Sequence, residues 1–325
     1  MLSNRVPFTC DRRRFLAAGL AAGVAAIPLA SAMGSEERGF FVRHGLPVGL
    51  QLYAVSDAAR ADINGTLAKV ALIGYRTVEL AGFHGHDVAT LRAAADRAGL
   101  EFTSIHITAQ PRGADPGLEG DIGRLCAELR VLGIKRVVMP MFLIPPKVPP
   151  LAGKESFIGF VARAAEHLTL DDWKRTAAFL NDRGNAFKRE GMQFGYHNHN
   201  PEFAPLRDTT GFEVLMRETQ PDLVSFEMDA GWVAAAGIEP AQLLIRYPGR
   251  FRQMHVKDLL PSTQANYRFQ QDPTEVGRGI IQWRTLLPAA HSAGIREFFV
   301  EQEPPFTKDR FDALGESFSY LEKVG

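Results

Sequence analysis

Phe194-Gly-Tyr-His197, Val224-Ser-Phe-Glu-Met-Asp229, Gln253-Met-His255-Val-Lys257 and Phe298-Phe-Val-Glu301 are the stretches whose reading decides the fold. Each is a short apolar run bounded by polar or Gly/Pro residues, too short for a helix, so each reads as a strand. A helical pattern follows each one. Polar residues at the carboxyl ends of parallel strands are where (β/α) barrels place their chemistry. Two His and two carboxylates gathered there make a mixed nitrogen and oxygen site for a divalent metal. A single His or Asp at a strand end is commonly just a satisfied polar group. Four at the same end of successive strands point to a site.

The same alternation runs outward from these stretches. Strands are expected at 47–53, 76–80, 101–107 and 135–141, with helices at 62–73, 87–98 and 121–132. Gly74, Gly99, Gly133, Gly191 and Gly294 each sit between a helix and the strand after it, where a left-handed cap residue stops the helix. The stretch 143–170, with Pro145-Pro146 and Pro149-Pro150, breaks this rhythm and reads as a long loop over the barrel mouth. A long helix at 169–189 follows, then three βα units with strands at Gly195, Ser225 and Met254. Their helices start at Thr210, Pro240 and Trp283. An eighth strand begins at Phe298, and a closing helix covers 310–324. Eight such units make an α/β chain, a single-domain (β/α)8 TIM barrel.

The amino-terminal segment reads as an export signal. Arg12-Arg13-Arg14-Phe15-Leu16 is a twin-arginine pattern, followed by the apolar run 17–29 and Ala30-Ser31-Ala32, a cleavage site. The run is shorter than the roughly 20 residues a membrane span needs. Residues 1–32 are thus expected to be a twin-arginine signal peptide and 33–325 the barrel, exported to the periplasm or secreted. Beyond the signal, Cys126 is the sole cysteine, so the core and not a disulfide must stabilise the fold. Without the signal's four Arg and one Asp, the 37 basic and 37 acidic side chains become 33 and 36, a net of about −3. That argues against a nucleic-acid partner. No membrane contact is expected after cleavage, and a homo-oligomer stays open.

Tyr196-His-Asn-His-Asn-Pro-Glu-Phe203, Phe226-Glu-Met-Asp229, Tyr247-Pro-Gly-Arg-Phe251, Met254-His-Val-Lys-Asp258, Glu275-Val-Gly-Arg-Gly279 and Val300-Glu-Gln302 carry a resemblance. They resemble the sugar phosphate isomerase/epimerase family, xylose isomerase-like TIM barrels related to keto-sugar epimerases and inosose dehydratases. The resemblance implies one divalent metal, Mn²⁺ first, with Mg²⁺, Co²⁺ or Zn²⁺ as alternatives. Asp229, His255 and Glu301 match the family's Asp, His and final Glu. Many relatives place a Glu where this chain has His197, so the fourth ligand is His197 or, reaching round from the next loop, Glu202.

The implied reaction removes a proton beside a carbonyl of a keto-sugar, which a metal favours by polarising the oxygens. Glu301 is the candidate base, with Glu79 or His199 on the opposite sugar face. Lys257 is expected to turn away from the metal unless the strand bends, or else to pair with Asp258. If the strand bends, its ammonium binds substrate oxygens. Gln51, His106, Trp232 and Arg278 are the candidate substrate contacts, Trp232 by stacking on the ring. Tyr53 stands at the first strand end, and His84 and His86 in the next loop are expected as loop or substrate contacts. Gly277-Arg278-Gly279 offers amides and a cation for an anion. The expected substrate is an unphosphorylated small-molecule sugar or glycoside. The leading function is a metal-dependent isomerase or epimerase. A lyase or hydratase on 3-keto-glycosides or inososes, using the same site, is the alternative. A non-catalytic periplasmic sugar-binding protein is the alternative of another class.

Overall fold

The computed structural model describes residues 39–325, so the expected twin-arginine segment lies outside the described residues. Eight parallel strands close a barrel: β1 Gly49–Gln51, β2 Thr77–Ala81, β3 Glu101–His106, β4 Arg136–Met139, β5 Gln193–His197, β6 Ser225–Asp229, β7 Phe251–Val256 and β8 Glu297–Val300. Each pairs with the next, and β8 returns to β1 through Gly49 beside Phe299. The described chain forms one compact unit, as expected for a single barrel domain. No helix among the described residues is long and apolar enough to cross a membrane.

Local chemistry explains where the helices begin and end. Asp62, Asp87 and Asp121 accept the amides of Gly65, Thr90 and Arg124 and so start helices Ile63–Ile73, Val88–Ala98 and Ile122–Leu132. Thr169 and Thr210 build reciprocal capping boxes with Asp172 and Glu213, starting Leu170–Arg189 and Gly211–Glu218. Gly99 and Gly133 take the left-handed cap conformation, with φ of 66° and 81°.

Three expectations need correction. The stretch 143–170 is not loop throughout. Once past its prolines, Ser156 caps a helix, Phe157–Ala165, that buries Phe160, Val161 and Ala164. The first strand stops at Gln51, whose side chain accepts the Tyr53 amide and winds Leu52–Val55 into a 3₁₀ turn. A short helix, Ala230–Ala235, leaves β6 directly, its amide at Trp232 capped by Asp229.

The inside of the barrel is polar, although branched apolar side chains usually fill this lumen. Arg136 on β4 pairs with Glu297 on β8 at 3.1 Å. Gln51 donates to Glu79 at 2.8 Å. β3 and β6 are not neighbours, yet His106 lies 2.7 Å from Glu227, across the lumen. β2 and β7 are likewise apart, and His255 lies 2.7 Å from Glu79. The pairing skips Thr103 on β3 and Arg252 on β7, so that Glu79 meets Ser104 and Glu227 meets Gln253. Both Glu side chains are buried.

Candidate active site

His255 is the centre of the cluster at the carboxyl ends of the strands. Its Nε2 faces Glu79 Oε1 at 2.7 Å and its Nδ1 faces Glu301 Oε2 at 3.1 Å. His106 Nε2 lies 2.7 Å from Glu227 Oε2 and 3.1 Å from Glu79 Oε1. His197 Nδ1 lies 3.0 Å from the same Glu227 oxygen. Three imidazoles therefore share two carboxylates under the mouth. Burial alone would pull His255 down, but Glu227 and Glu301 hold its imidazolium well above the ordinary histidine range. Burial opposes His106 too, yet Glu79 and Glu227 push it up to about 9. Burial would raise Glu79, but His106 and His255 hold its carboxyl well below the usual range. Glu227 goes the other way, to about 7, through burial and the charge of Glu79.

A second group surrounds Lys257. Its ammonium lies 2.8 Å from Asp229 Oδ2, 2.7 Å from Glu301 Oε2 and 2.6 Å from Glu303 Oε1. Burial would favour the neutral amine, but these three carboxylates hold the ammonium well above its ordinary range. The Lys257 cation keeps Glu301 ionised against burial, with help from His255. The Trp232 ring lies 5.0 Å from the ammonium, and its indole N–H donates to Glu303 at 3.2 Å. Two sets of ligand atoms come within 4.8 Å of one another and could hold a metal ion: His106, His197, Glu227 and His255, and Asp229, His255 and Glu301. His255 belongs to both.

Above this cluster opens a cavity of about 550 Å³, with His106, His197, His199, Glu301 and Glu303 on its wall. Among the candidate metal ligands, Asp229, His255 and Glu301 stand together, with His197 Nε2 3.8 Å from Asp229. His199 follows His197 to the same side, as period two requires. Burial and the Lys257 charge keep its imidazole neutral, down to about 3. Tyr53 and His84 line the cavity, while His86 turns to the Ala59 carbonyl at 2.8 Å.

Other candidates are placed elsewhere. Glu202 does not reach the imidazoles; it accepts from the Tyr196 hydroxyl at 2.6 Å and the His199 amide at 3.1 Å. Glu79 is fully buried beneath the imidazoles and does not face the cavity, and Gln51 is spent on holding it. Trp232 lies behind Glu303, off the cavity wall. Arg278 points out to solvent and pairs with Glu316 at 2.8 Å. The Gly277-Arg278-Gly279 amides already hold an anion of the chain's own. Gly277 and Gly279 donate to the Asp258 carboxylate at 2.9 and 3.2 Å, joined by the Trp283 indole at 2.9 Å. Asp258 is thus occupied, and Lys257 does not pair with it. Nor does Lys257 turn away from the cluster: it lies two residues past His255, so the alternation carries both to one side.

Sequence reading missed Glu227 and Glu303. Each lies two residues from a residue that was found, Asp229 and Glu301. The same period-two step that linked His199 to His197 would have added both.

Glu202 makes a pH-dependent contribution. Burial raises its carboxyl to about 7, against a smaller downward pull from Tyr196 and two backbone amides. A raised acid stabilises the fold fully below its ordinary value of 4.5 and loses that contribution as the pH rises through about 7. Glu202→Gln stays neutral: its carbonyl oxygen can accept the His199 amide while its NH2 donates to the Tyr196 hydroxyl. Its urea midpoint should gain on the wild type between about pH 4.5 and about pH 8. A gap that does not change with pH would refute this account.

The family pattern described as xylose isomerase-like TIM barrel matches residues 67–324. Inosose dehydratase 2 of Bacillus cereus is 32% identical over 169 residues, 48% of this chain and 53% of that protein. The matches span about half or less of the length of the curated relatives. A sugar phosphate isomerase/epimerase from Parabacteroides distasonis superposes with a TM-score of 0.65 at 22% identity, covering 92% of this chain and 100% of that one. A xylose isomerase-like TIM barrel protein from Mycobacterium smegmatis, solved in complex with magnesium, gives 0.60 at 14% identity over 86% of this chain and 97% of that one. With its closed eight-stranded barrel and a family match across most of its length, the chain belongs to the xylose isomerase-like TIM barrel family.

Proposed function

We propose that this protein is a metal-dependent isomerase or epimerase that moves a proton on the carbon beside the carbonyl of a keto-sugar. The observation that carries this is Glu301: a carboxylate on the cavity wall, one residue past β8, 3.1 Å from the His255 imidazole and held ionised by the Lys257 ammonium at 2.7 Å. The donor set fits a divalent cation. It mixes imidazoles with carboxylates, and the buried Oε1 of Glu227 has no hydrogen-bond partner. Asp229, His255 and Glu301 would hold the ion, with His197 as fourth ligand and Glu227 as the competitor; His255 would give up its proton and the Lys257 ammonium its place on Asp229 and Glu301 as the ion enters. Mn²⁺ is the first choice, and the magnesium in the M. smegmatis relative keeps Mg²⁺ beside it. When bound, such an ion polarises the substrate's carbonyl and hydroxyl oxygens.

The chain's own residues supply the proton traffic. Glu301 accepts the carbon-bound proton and, in isomerisation, delivers it to the neighbouring carbon that bore the carbonyl, a step a positioned base accelerates by roughly 10²–10⁴. In epimerisation the proton returns to the same carbon from the opposite face, where His199 is the candidate to relay it. His106 stands on the cavity wall with its Nε2 on Glu227 and Glu79, whose carboxylates favour its cationic form, and is the candidate donor to the substrate oxygen that gains charge. His199, neutral and with Nδ1 lacking a partner, is placed to hold a hydroxyl. A second reading keeps the same first step and then expels a neighbouring hydroxyl as water, with His106 supplying its proton. The inosose dehydratase relatives favour it.

Metal analysis of Asp229→Ala should show loss of most bound cation. Retention of wild-type metal content would overturn the ligand assignment. Glu301→Gln keeps the shape and one oxygen donor. In deuterated water, with keto-sugars followed by NMR, it should exchange the substrate proton at least about 100-fold more slowly than wild type. Exchange at the wild-type rate would leave Glu301 as a ligand alone.

We also propose export by way of Arg12 and Arg13. Replacing both by Lys should strand the precursor in the cytoplasm on fractionation, and an unchanged exported yield would reject the signal.

A further inference from the structure

The cavity is too large for one sugar ring. A pyranose needs roughly 150–180 Å³, the share of five or six waters at about 30 Å³ each. A ring seated against His197, His199 and Glu301 would leave more than half of the 550 Å³ open. The remaining space runs out between the loops after β1, β2 and β3. Its wall carries Ser56, Asp57, Arg60, His84, Arg112 and Asp115.

His84 is the informative residue there. It is 2% exposed, and its Nε2 has no hydrogen-bond partner. Its Nδ1 lies 3.4 Å from the Ser56 hydroxyl. A hydroxyl donating to Nδ1 leaves Nε2 carrying a proton to give. The residue holds a left-handed backbone at φ 54°, between Gly82 at 76° and Gly85 at 80°. A bulky residue kept in that conformation marks stored strain, which clusters at ligand sites. Burial also keeps the ring neutral, near 4. The outer lip is organised as well. Arg112 and Asp115 exchange both backbone hydrogen bonds at 3.1 Å, closing a tight turn. The Arg112 guanidinium stacks 3.8 Å over the Phe157 ring, which joins this turn to the helix of the long insertion.

We propose that the cavity binds a two-ring substrate, with a second, glycosidically linked polyhydroxylated ring seated in the annex around His84. This rests on the keto-sugar reading for the first ring. The charges select the class of ligand. Asp57 and Asp115 stand on the same wall as Arg60 and Arg112, so a phosphate would meet carboxylates. A neutral polyol uses donors and acceptors of both kinds. The neutral His84 N–H adds a donor without adding charge.

The test is a comparison of binding without turnover. A disaccharide and the corresponding methyl monosaccharide, both lacking the keto group, are titrated into the protein by calorimetry or ligand-observed NMR. The disaccharide should bind at least about 10-fold more tightly, a difference of about 1.4 kcal/mol. His84→Asn withdraws the imidazole with a residue that tolerates the left-handed backbone. Arg112→Ala removes an exposed wall residue. In both, the affinity ratio should fall to within about 2-fold of unity. A disaccharide that binds no more tightly than the monosaccharide overturns the proposal, as does a ratio that survives both substitutions. Proton exchange is measured separately on keto-sugars. Absence of exchange beside an intact affinity ratio would sink the isomerase reading and leave the two-ring site standing.

Discussion

A charged side chain in the lumen of this barrel must find its opposite, because a lone ion there would cost several kcal/mol. Everything at the mouth follows from that requirement. His255 satisfies it in two directions at once, one ring nitrogen on Glu79 and the other on Glu301. Lys257 answers Asp229, Glu301 and Glu303 together. The result is a network in which no member can be moved without exposing another. Rigidity of this kind suits a reaction that needs a base and a proton donor held in fixed relation to one substrate carbon.

The scaffold achieves this with two simple devices. Parallel strands deliver side chains to the lumen at every second position, so each strand end contributes a pair: His197 with His199, Glu227 with Asp229, His255 with Lys257, Glu301 with Glu303. Asp229 and Lys257, the later members of two pairs, are as buried as the residues before them and pair with each other at 2.8 Å. Beside the two lumen carboxylates, Glu79 and Glu227, the neighbouring strands β3 and β7 each carry one extra residue, Thr103 and Arg252. Gln51 and Gln253 then approach Glu79 at 2.8 and 3.5 Å from neighbouring and opposite walls. Polarity below the site thus supports the site, in place of an apolar core.

The fold was legible in the sequence because parallel strands are short and apolar, and because glycine marks so many helix ends. Asp229, His255 and Glu301 were legible for a related reason: each stands at the end of a strand pattern. Glu79 was found as a residue, but its direction was not. That depends on a partner 176 positions away, which no local pattern encodes. Trp232 and Arg278 misled because residue type alone suggested a contact. The packing of Trp232 behind Glu303 and the pairing of Arg278 with Glu316 are tertiary facts. The helix Phe157–Ala165 was hidden by the prolines before it, although Ser156 three residues ahead of Gly159 is an ordinary cap signal.

Isomerisation and dehydration on such a site differ late in the reaction. On the proposed reading, both begin with a proton leaving carbon for Glu301. They part according to whether a proton donor stands beside a second oxygen of the substrate. His106 is the one imidazole on the cavity wall whose pKa is raised; His197 and His199 are driven down by burial and by neighbouring cations. One cationic donor among neutral rings imposes a direction on the site. On the same reading, an oxygen presented to His106 would be stabilised as charge builds on it, or would be protonated and lost if it belongs to a hydroxyl beside the new carbanion. The outcome therefore turns on how the substrate ring is rotated in the cavity. That rotation is set by contacts beyond the reacting carbon, along the wall between β1 and β3, where His84 and Arg112 stand.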